Sequence, residues 1–273
     1  KYEMIVSQPL TIRPNESNSV DVYSEMVQIR EYWGKRAPYY PNLTWPKDAG
    51  YIDALIGVAD ICPDDYVLDA GTGPGHIAHA AASHAHQVIG LDVSPDMLAL
   101  VDGSRMPNEQ FVEGDIRAIP YPKSRFDKVF ARMVIHGLTE GDDASKAIRE
   151  CYRVLVPGGT FIFSEGVPIS KRVQKWYTEM FKLKEDRLTM TALYMNRLMN
   201  RANFKRIRVI EYVMPDFSIR NWLDGSGLPE SQKETILDIH RTMPGPIAQD
   251  YAMRLTANDV IIKSKFAILT GVK

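Results

Sequence analysis

A short glycine-rich segment carries the clearest chemistry in the sequence. A short predicted strand ends at an acidic residue and is followed by three glycines at alternate positions, in the order Val67-Leu68-Asp69-Ala70-Gly71-Thr72-Gly73-Pro74-Gly75. Glycines let a ligand lie against bare backbone, and the start of the next helix offers free N–H groups to a carboxylate or phosphate. The spacing is GxGxG, not the GxGxxG of dinucleotide sites. Because a carboxylate beside a pyrophosphate would repel it, Asp69 favours a ligand with a cationic amine, and we infer S-adenosylmethionine.

Five further motifs follow at the expected ends of strands and turns. They are Gly90-Leu91-Asp92-Val93-Ser94-Pro95-Asp96-Met97-Leu98, Glu113-Gly114-Asp115-Ile116, Phe126-Asp127-Lys128-Val129-Phe130, Arg132-Met133-Val134-Ile135-His136 and Glu150-Cys151-Tyr152-Arg153-Val154-Leu155-Val156-Pro157-Gly158-Gly159. In order and spacing the set resembles the class I S-adenosylmethionine-dependent methyltransferases. Within that class it is similar to the small-molecule branch that includes the ubiquinone and menaquinone C-methyltransferases. The resemblance covers roughly residues 65–165 by motif and the remainder more loosely.

The resemblance implies cofactor contacts at three successive strand ends. Asp92 would accept hydrogen bonds from both ribose hydroxyls, and Asp115 would accept one from the adenine amine. Apolar side chains would enclose the adenine ring, although Met97 fits a core position of its helix equally well. The predicted cofactor-binding residues are Asp69, Gly71, Gly73, Gly75, Asp92, Val93, Met97, Asp115, Ile116 and Arg132.

Methyl transfer in this class is a direct displacement at a sulfonium methyl, so the protein supplies alignment, water exclusion and sometimes a base. His136 is the best candidate base because it follows the fourth predicted strand. The alternative is that His136 caps or packs the turn. In the relatives this turn reads Leu-His-His, and its second histidine is Gly137 here, which weakens the transfer of a role. Glu165, at the end of the fifth predicted strand, is a candidate acid, base or positioning group.

Cysteine and histidine spacing predicts no metal site. Cys62 and Cys151 lie 89 positions apart, which excludes a disulfide framework, the usual structural zinc site and the several thiolates that an arsenic methyltransferase would need. Surface or capping roles are favoured for the histidines around the first helix of the motif region, His76, His79, His84 and His86.

The elements that position these residues alternate between strands and helices. Strands are predicted at 66–69, 88–92, 110–113, 127–134, 160–164, 207–212 and 260–270, and helices at 75–83, after Ser94, from Asp142 or Asp143 to Leu155, and at 191–202. Residues 156–159 are expected to end the helix before them as a Pro/Gly loop. This rhythm predicts an α/β fold, a doubly wound, mostly parallel seven-stranded Rossmann-like sheet with one antiparallel strand near the C-terminus.

Two regions fall outside that rhythm. Residues 20–51 hold seven aromatic residues, and residues 213–259 interrupt two strands with helical patterns at 219–224 and 229–241. Insertions of this size commonly serve as lids or binding elements. We therefore expect a single domain over 1–273, with an N-terminal cap (20–51), a cofactor-binding core (52–212), a helical lid (213–259) and a last strand (260–273). The expected acceptor and lid residues are Tyr32, Trp33, Tyr40, Glu165 and Trp222.

Charge and composition leave three classes of function open. The chain has 33 basic and 34 acidic residues, so bulk charge favours neither a nucleic-acid nor a membrane partner. Lys171 to Arg208 is locally basic, with eleven basic residues and three acidic ones, which fits a solvated face better than an anion-binding surface. We favour O-methylation of a small, partly apolar acceptor, aromatic acceptors included. The alternatives are an RNA or protein methyltransferase that uses the basic stretch, and a non-catalytic cofactor-binding protein of this fold.

Cellular context is predicted from composition alone. Two separated cysteines fit a reducing cytoplasm. Lys1 to Val20 is polar with Pro9 and Pro14, which predicts neither a signal peptide nor a membrane span. The oligomeric state is not predicted.

Overall fold

The computed structural model describes residues 19–101, 103 and 106–273, and for residues 19–26 the backbone alone. The polar segment at 1–18, with Pro9 and Pro14, lies outside the described residues. Within the described part of the chain, no helix is long and apolar enough to cross a membrane.

A single mixed sheet forms the centre of the fold. Its strands are β1 (Tyr66–Ala70), β2 (Gln87–Asp92), β3 (Glu109–Glu113), β4 (Phe126–Arg132), β5 (Leu155–Val167), β6 (Lys205–Ser218), β7 (Arg254–Leu255) and β8 (Val260–Val272). The order is β3-β2-β1-β4-β5-β8-β6, with the two-residue β7 paired to β8. β8 is antiparallel to β5 and β6, and the pairs from β3 to β5 are parallel. The predicted fold class is confirmed, and the short β7 adds an unpredicted eighth strand.

Helices cover both faces of the sheet. They are α1 (Ser19–Arg36), α2 (Ala49–Ala59), α3 (His76–Ala82), α4 (Pro95–Leu98), α5 (Asp143–Val154), α6 (Gln174–Lys184), α7 (Ala192–Arg201), α8 (Ile219–Asp224), α9 (Glu230–Arg241) and α10 (Gly245–Asp250). α5 and α7 bury apolar side chains in the core on one face, and α2, α3, α8 and α9 bury theirs on the other. Because helices cover both faces, the inner strands carry apolar side chains on both sides. The carboxyl ends of the parallel strands remain uncovered by these layers, and ligand sites of such folds lie there.

The start of β5 differs from the prediction. The expected Pro/Gly loop at 156–159 lies inside the strand, which begins at Leu155, so the predicted start at Thr160 is wrong. The register against β4 shifts between Phe126 and Lys128, and Gly158 has a φ of +85° while its N–H donates to the Lys273 carbonyl at 3.0 Å. The Pro/Gly segment therefore forms a β-bulge within the strand, and pairing with β4 resumes after it.

The lid also begins later than predicted. Residues 213–218 continue β6, where Met214 pairs with Ser264 and Phe217 with Ile262. Both side chains are buried against the sheet. The helical part of the predicted lid is therefore residues 219–250, and α2, α6 and α10 are three further helices that the sequence patterns did not predict.

Candidate active site

The glycine-rich turn joins β1 to α3 and lies against the end of β2. The backbone N–H groups of Gly71 and Thr72 both donate to the Leu91 carbonyl, at 2.7 and 2.9 Å. Gly71 has a φ of +79°, and a Cβ placed on it would lie 2.5 Å from Val134. Only glycine satisfies both the left-handed backbone and this close approach.

Asp69 is the penultimate residue of β1, just before this turn, and is almost fully buried. One of its carboxylate oxygens, Oδ2, accepts hydrogen bonds from the Thr72 hydroxyl at 2.6 Å and from the Ala78 N–H at 3.1 Å. Burial raises the pKa of Asp69 to about 6, against the opposing effect of the Thr72 hydrogen bond and the Arg132 charge. A neighbouring cation would favour the ionised form.

Asp92 ends β2 and connects it to the same turn. Its Oδ2 accepts from the Gly73 N–H at 2.7 Å, and its Oδ1 accepts from the Ser94 N–H at 2.9 Å. Burial raises the pKa of Asp92, and these backbone donors oppose that effect. The carboxylate is thus held rigidly at the carboxyl edge of the sheet, with further lone-pair positions available to a ligand.

A cleft of about 430 Å³ opens along this edge. It brings together most of the predicted site residues, which are Asp69, Gly71, Gly73, Asp92, Val93, Met97, Asp115, Ile116, Arg132, His136, Tyr32, Trp33 and Tyr40. The predicted residues Gly75, Glu165 and Trp222 do not line it. A Cβ on Gly75 would lie 2.8 Å from Phe111, so this glycine allows close packing behind the turn.

The cleft fits the donor set of an adenosyl cofactor. Carboxylates stand at the ends of β1 and β2, the turn offers bare glycine backbone, and apolar side chains form the wall between Asp92 and Asp115. Asp115 is also engaged within the protein, because both its oxygens accept from Arg117, at 2.8–3.2 Å. Among the described residues, no group of three or more His, Cys, Asp or Glu side chains could hold a metal ion.

His136 and Glu165 form a buried pair at the edge of the cleft. Glu165 accepts from the His136 backbone N–H at 3.0 Å through Oε1, and its Oε2 lies 2.7 Å from the His136 Nδ1. A carboxylate at Nδ1 favours the tautomer with hydrogen on Nδ1, which leaves the lone pair on Nε2. Glu165 is fully buried and does not line the cleft, so its contact with the cleft runs through the histidine.

The cap covers the cleft through α1. The Arg30 Nε donates to the Val93 carbonyl at 3.2 Å, and the Tyr32 hydroxyl donates to the Glu185 carboxylate at 2.8 Å. Arg36 also pairs with Glu185, at 2.7 Å. The sequence patterns missed Arg36 and Glu185, because the partners are 149 positions apart and neither belongs to a motif.

Arg132 links the cap to the sheet. Its Nη2 donates to the Pro46 carbonyl at 2.9 Å, and its guanidinium lies over the rings of Tyr51 and Trp45, 4.7 and 5.6 Å from their centroids. The Tyr51 hydroxyl in turn bonds Ser164 at 2.7 Å. The predicted cofactor residue Arg132 therefore lines the cleft and also fixes the segment after α1.

Trp222 lies in a second, smaller cavity of about 60 Å³ under the lid, which we call the aromatic cavity. Trp222 therefore lies apart from Tyr32, Trp33 and Tyr40, and its assignment as an acceptor or lid residue stays a prediction. It lies apart because α8 packs toward α6, so that Trp222 meets Phe181 edge-on at 5.2 Å. Trp45 and Met133 line both spaces, so the aromatic cavity adjoins the cleft.

The sheet order, the glycine-rich turn and the strand-end carboxylates resemble those of the class I S-adenosylmethionine-dependent methyltransferases. Residues 68–163 match the family described as "Methyltransferase domain".

Three known proteins illustrate the similarity. The malonyl-[acyl-carrier protein] O-methyltransferase of Serratia marcescens is 32% identical over 118 residues, 43% of this chain and 44% of that protein. The demethylmenaquinone methyltransferase of Thermus thermophilus is 36% identical over 155 residues, 55% of this chain and 66% of that protein. The structure of the YcgJ protein of Bacillus subtilis shares the fold with a TM-score of 0.70 at 20% identity, over 81% of this chain and 97% of that one. The chain spans about half the length of the first curated relatives that it matches.

Proposed function

We propose that this chain transfers a methyl group from S-adenosylmethionine to a small, partly apolar acceptor, and we favour an oxygen acceptor. The observation that supports this most is that one cleft is lined both by the strand-end carboxylates with the apolar side chains and by His136. A cofactor held by the first set would lie beside the second. We further propose that residues 1–273 act as one domain.

In the proposed mechanism each cleft residue has a defined task. Asp92 would accept from the ribose hydroxyls, Asp69 would face the ammonium group, and Val93, Met97 and Ile116 would enclose the adenine. When bound, the cofactor supplies an electrophilic sulfonium methyl. His136 receives the acceptor's proton at Nε2, and Glu165 holds the ring in the required tautomer. The cap excludes water while acceptor and donor align.

The alternative of an RNA or protein acceptor finds less support. It depends on the basic stretch at 171–208, and in that stretch Lys184 and Arg187 turn inward, with side chains only 2% and 3% exposed. The basic residues left on the surface are a solvated face. A non-catalytic role would leave the His136–Glu165 pair with a packing role alone.

Calorimetric titration with S-adenosylhomocysteine tests the proposed cofactor site. Asp92→Asn should weaken binding by about tenfold to a hundredfold, the range for a lost hydrogen bond to a charged group. Asp64→Asn, at an exposed position away from the cleft, is the matched control and should bind like the wild type. No binding by the wild-type protein, or equal affinity in both variants, would contradict the proposal.

A further inference from the structure

We infer that the aromatic cavity and the adjoining Arg187 bind the acceptor, and that the acceptor is an aromatic molecule bearing a carboxylate. The inference rests on the proposed function and specifies the acceptor class. Four observations carry it: the unpartnered donors of Arg187, the excess of buried positive charge around Glu185, the aromatic lining of the cavity, and the contact between the Arg187 loop (residues 185–191) and His136.

The guanidinium of Arg187 has two donors without a partner. Its side chain is only 3% exposed, and among the described residues nothing accepts from Nε or Nη2. These two nitrogens form one edge of the guanidinium, the fork that binds a carboxylate through two parallel hydrogen bonds. Buried donors without an acceptor cost free energy, and a ligand carboxylate would satisfy both.

The charges around Arg187 are out of balance. Arg36, Lys184 and Arg187 all pair with Glu185, at 2.7, 2.8 and 3.5 Å, so three basic side chains, two of them arginines, share one carboxylate. Burial, with the Arg36 charge, lowers the pKa of Lys184 to about 7. Burial would raise the pKa of Glu185, but the neighbouring basic side chains outweigh the effect of burial and hold this pKa well below its usual range. A second anion would relieve the excess positive charge.

Aromatic side chains surround the place where the rest of the acceptor would lie. Phe181 stacks under the Arg187 guanidinium, 4.1 Å from the ring centroid, and Trp222 lies under the Lys184 ammonium at 4.6 Å. The Trp45 Nε1 at the boundary with the cleft is another buried donor without a partner in the described part of the chain. At about 60 Å³ the aromatic cavity is smaller than an aromatic acid, so α6 or the lid must shift to admit one.

The Arg187 loop contacts the candidate base directly. The Leu188 N–H donates to the His136 carbonyl at 2.8 Å, so the residue after Arg187 is fixed to the histidine backbone. An acceptor anchored by its carboxylate at Arg187 can therefore extend past Met133, which lines both spaces, toward His136.

Calorimetry with paired probes tests this inference on protein saturated with S-adenosylhomocysteine. The probes are 4-hydroxybenzoate, 4-hydroxycinnamate and 6-hydroxy-2-naphthoate, each compared with its primary carboxamide. At least one acid should bind the wild type tenfold or more tightly than its amide, the size of a charge-assisted fork. Arg187→Gln should remove that preference, and Arg197→Gln, at an exposed position on α7, should retain it.

Other outcomes are equally decisive. Equal binding of acids and amides by the wild type, binding of no probe, or an unchanged preference in Arg187→Gln would overturn the inference and leave the cofactor proposal standing. If the wild type does not bind S-adenosylhomocysteine, the proposed function fails, and the acid–amide comparison without cofactor still decides whether Arg187 binds a carboxylate. If circular dichroism shows that Arg187→Gln does not fold, Arg187→Lys is used in its place. That variant keeps the charge without the fork, and its preference should fall severalfold.

Discussion

At the scale of one residue, Asp69 shows how a group placed for ligand binding lowers the stability of the folded protein. The carboxylate is buried beneath the glycine-rich turn with two hydrogen bonds to a single oxygen, and burial raises its pKa to about 6. The unfolded chain ionises this group near pH 3.9. Between these two values the folded protein binds more protons than the unfolded chain, so the contribution of Asp69 to stability falls as pH rises from 4 to 6.

Asp69→Asn should therefore stabilise the free protein at pH 7.5, by on the order of 2–3 kcal/mol, and weaken cofactor binding at the same time. The gain in thermal unfolding should shrink as pH falls from 7 through 6 toward 4, because the wild-type carboxyl is then protonated. Wild-type affinity for S-adenosylhomocysteine should also fall below pH 6. Asp64→Asn provides the control, and a less stable Asp69→Asn at pH 7.5 would show that the ionised form is well compensated.

Turnover measurements test the catalytic role proposed for the buried pair of His136 and Glu165. His136→Asn should lower kcat by about a hundredfold or more while cofactor affinity stays nearly unchanged, since a lost general base affects the chemical step. The exposed His84→Asn should be neutral. Glu165→Gln should also lower kcat, and adding it to His136→Asn should cause little further loss, because the two residues act as a unit. Retained turnover in His136→Asn would exclude the base, and lost cofactor binding would favour the packing role.

At the scale of elements, the cap and the lid differ in what they cover. α1 contacts the cleft through Tyr32 and Trp33 and reaches the Val93 carbonyl through Arg30. The lid at 219–250 covers the aromatic cavity instead. The two elements should therefore respond to different ligands.

Hydrogen exchange should separate these responses. Bound S-adenosylhomocysteine should slow amide exchange in residues 27–36 of α1 more than in α5, whose buried face lies in the core. The lid should be protected further when an acceptor analogue is added. Uniform slowing across α1, α5 and the lid would mean that cap and lid are fixed parts of the fold.

Elements were predictable where their pattern is local. α5 shows apolar residues at helical spacing from Ala144 to Val154, so the helix could be identified from the sequence. Asp69 and Asp92 follow short apolar runs, so these carboxylates could be placed near strand ends. α6 lies among basic residues and turns Lys184 inward, which no periodicity predicts. Glu185 could not be found either, because its role depends on Arg36 in a distant helix.

At the scale of the whole molecule, the two apolar layers meet across one sheet, and their buried residues form two continuous clusters. Such packing makes the proposed single domain a cooperative unit. Thermal unfolding should show one transition.

That transition should shift as a whole with ligand. S-adenosylhomocysteine at a hundred times its Kd adds about 2.7 kcal/mol, which raises Tm by roughly 5–10 °C for a domain of this size. Differential scanning calorimetry measures both quantities, and Asp92→Asn should show a much smaller shift at the same concentration. Two separate transitions, or a shift in part of the profile, would contradict the single domain.

The residues of the cleft divide along the chain in a way that bears on how such proteins diversify. The carboxylates and the apolar wall proposed for the donor lie within 68–163, the segment shared with the methyltransferase domain family. Arg36, Glu185, Arg187 and Trp222 lie outside it. New acceptors can then arise by replacing flanking segments while the donor half is inherited unchanged. Two proteins that match over 68–163 alone need not share an acceptor, because the residues inferred to bind it lie in the flanking segments.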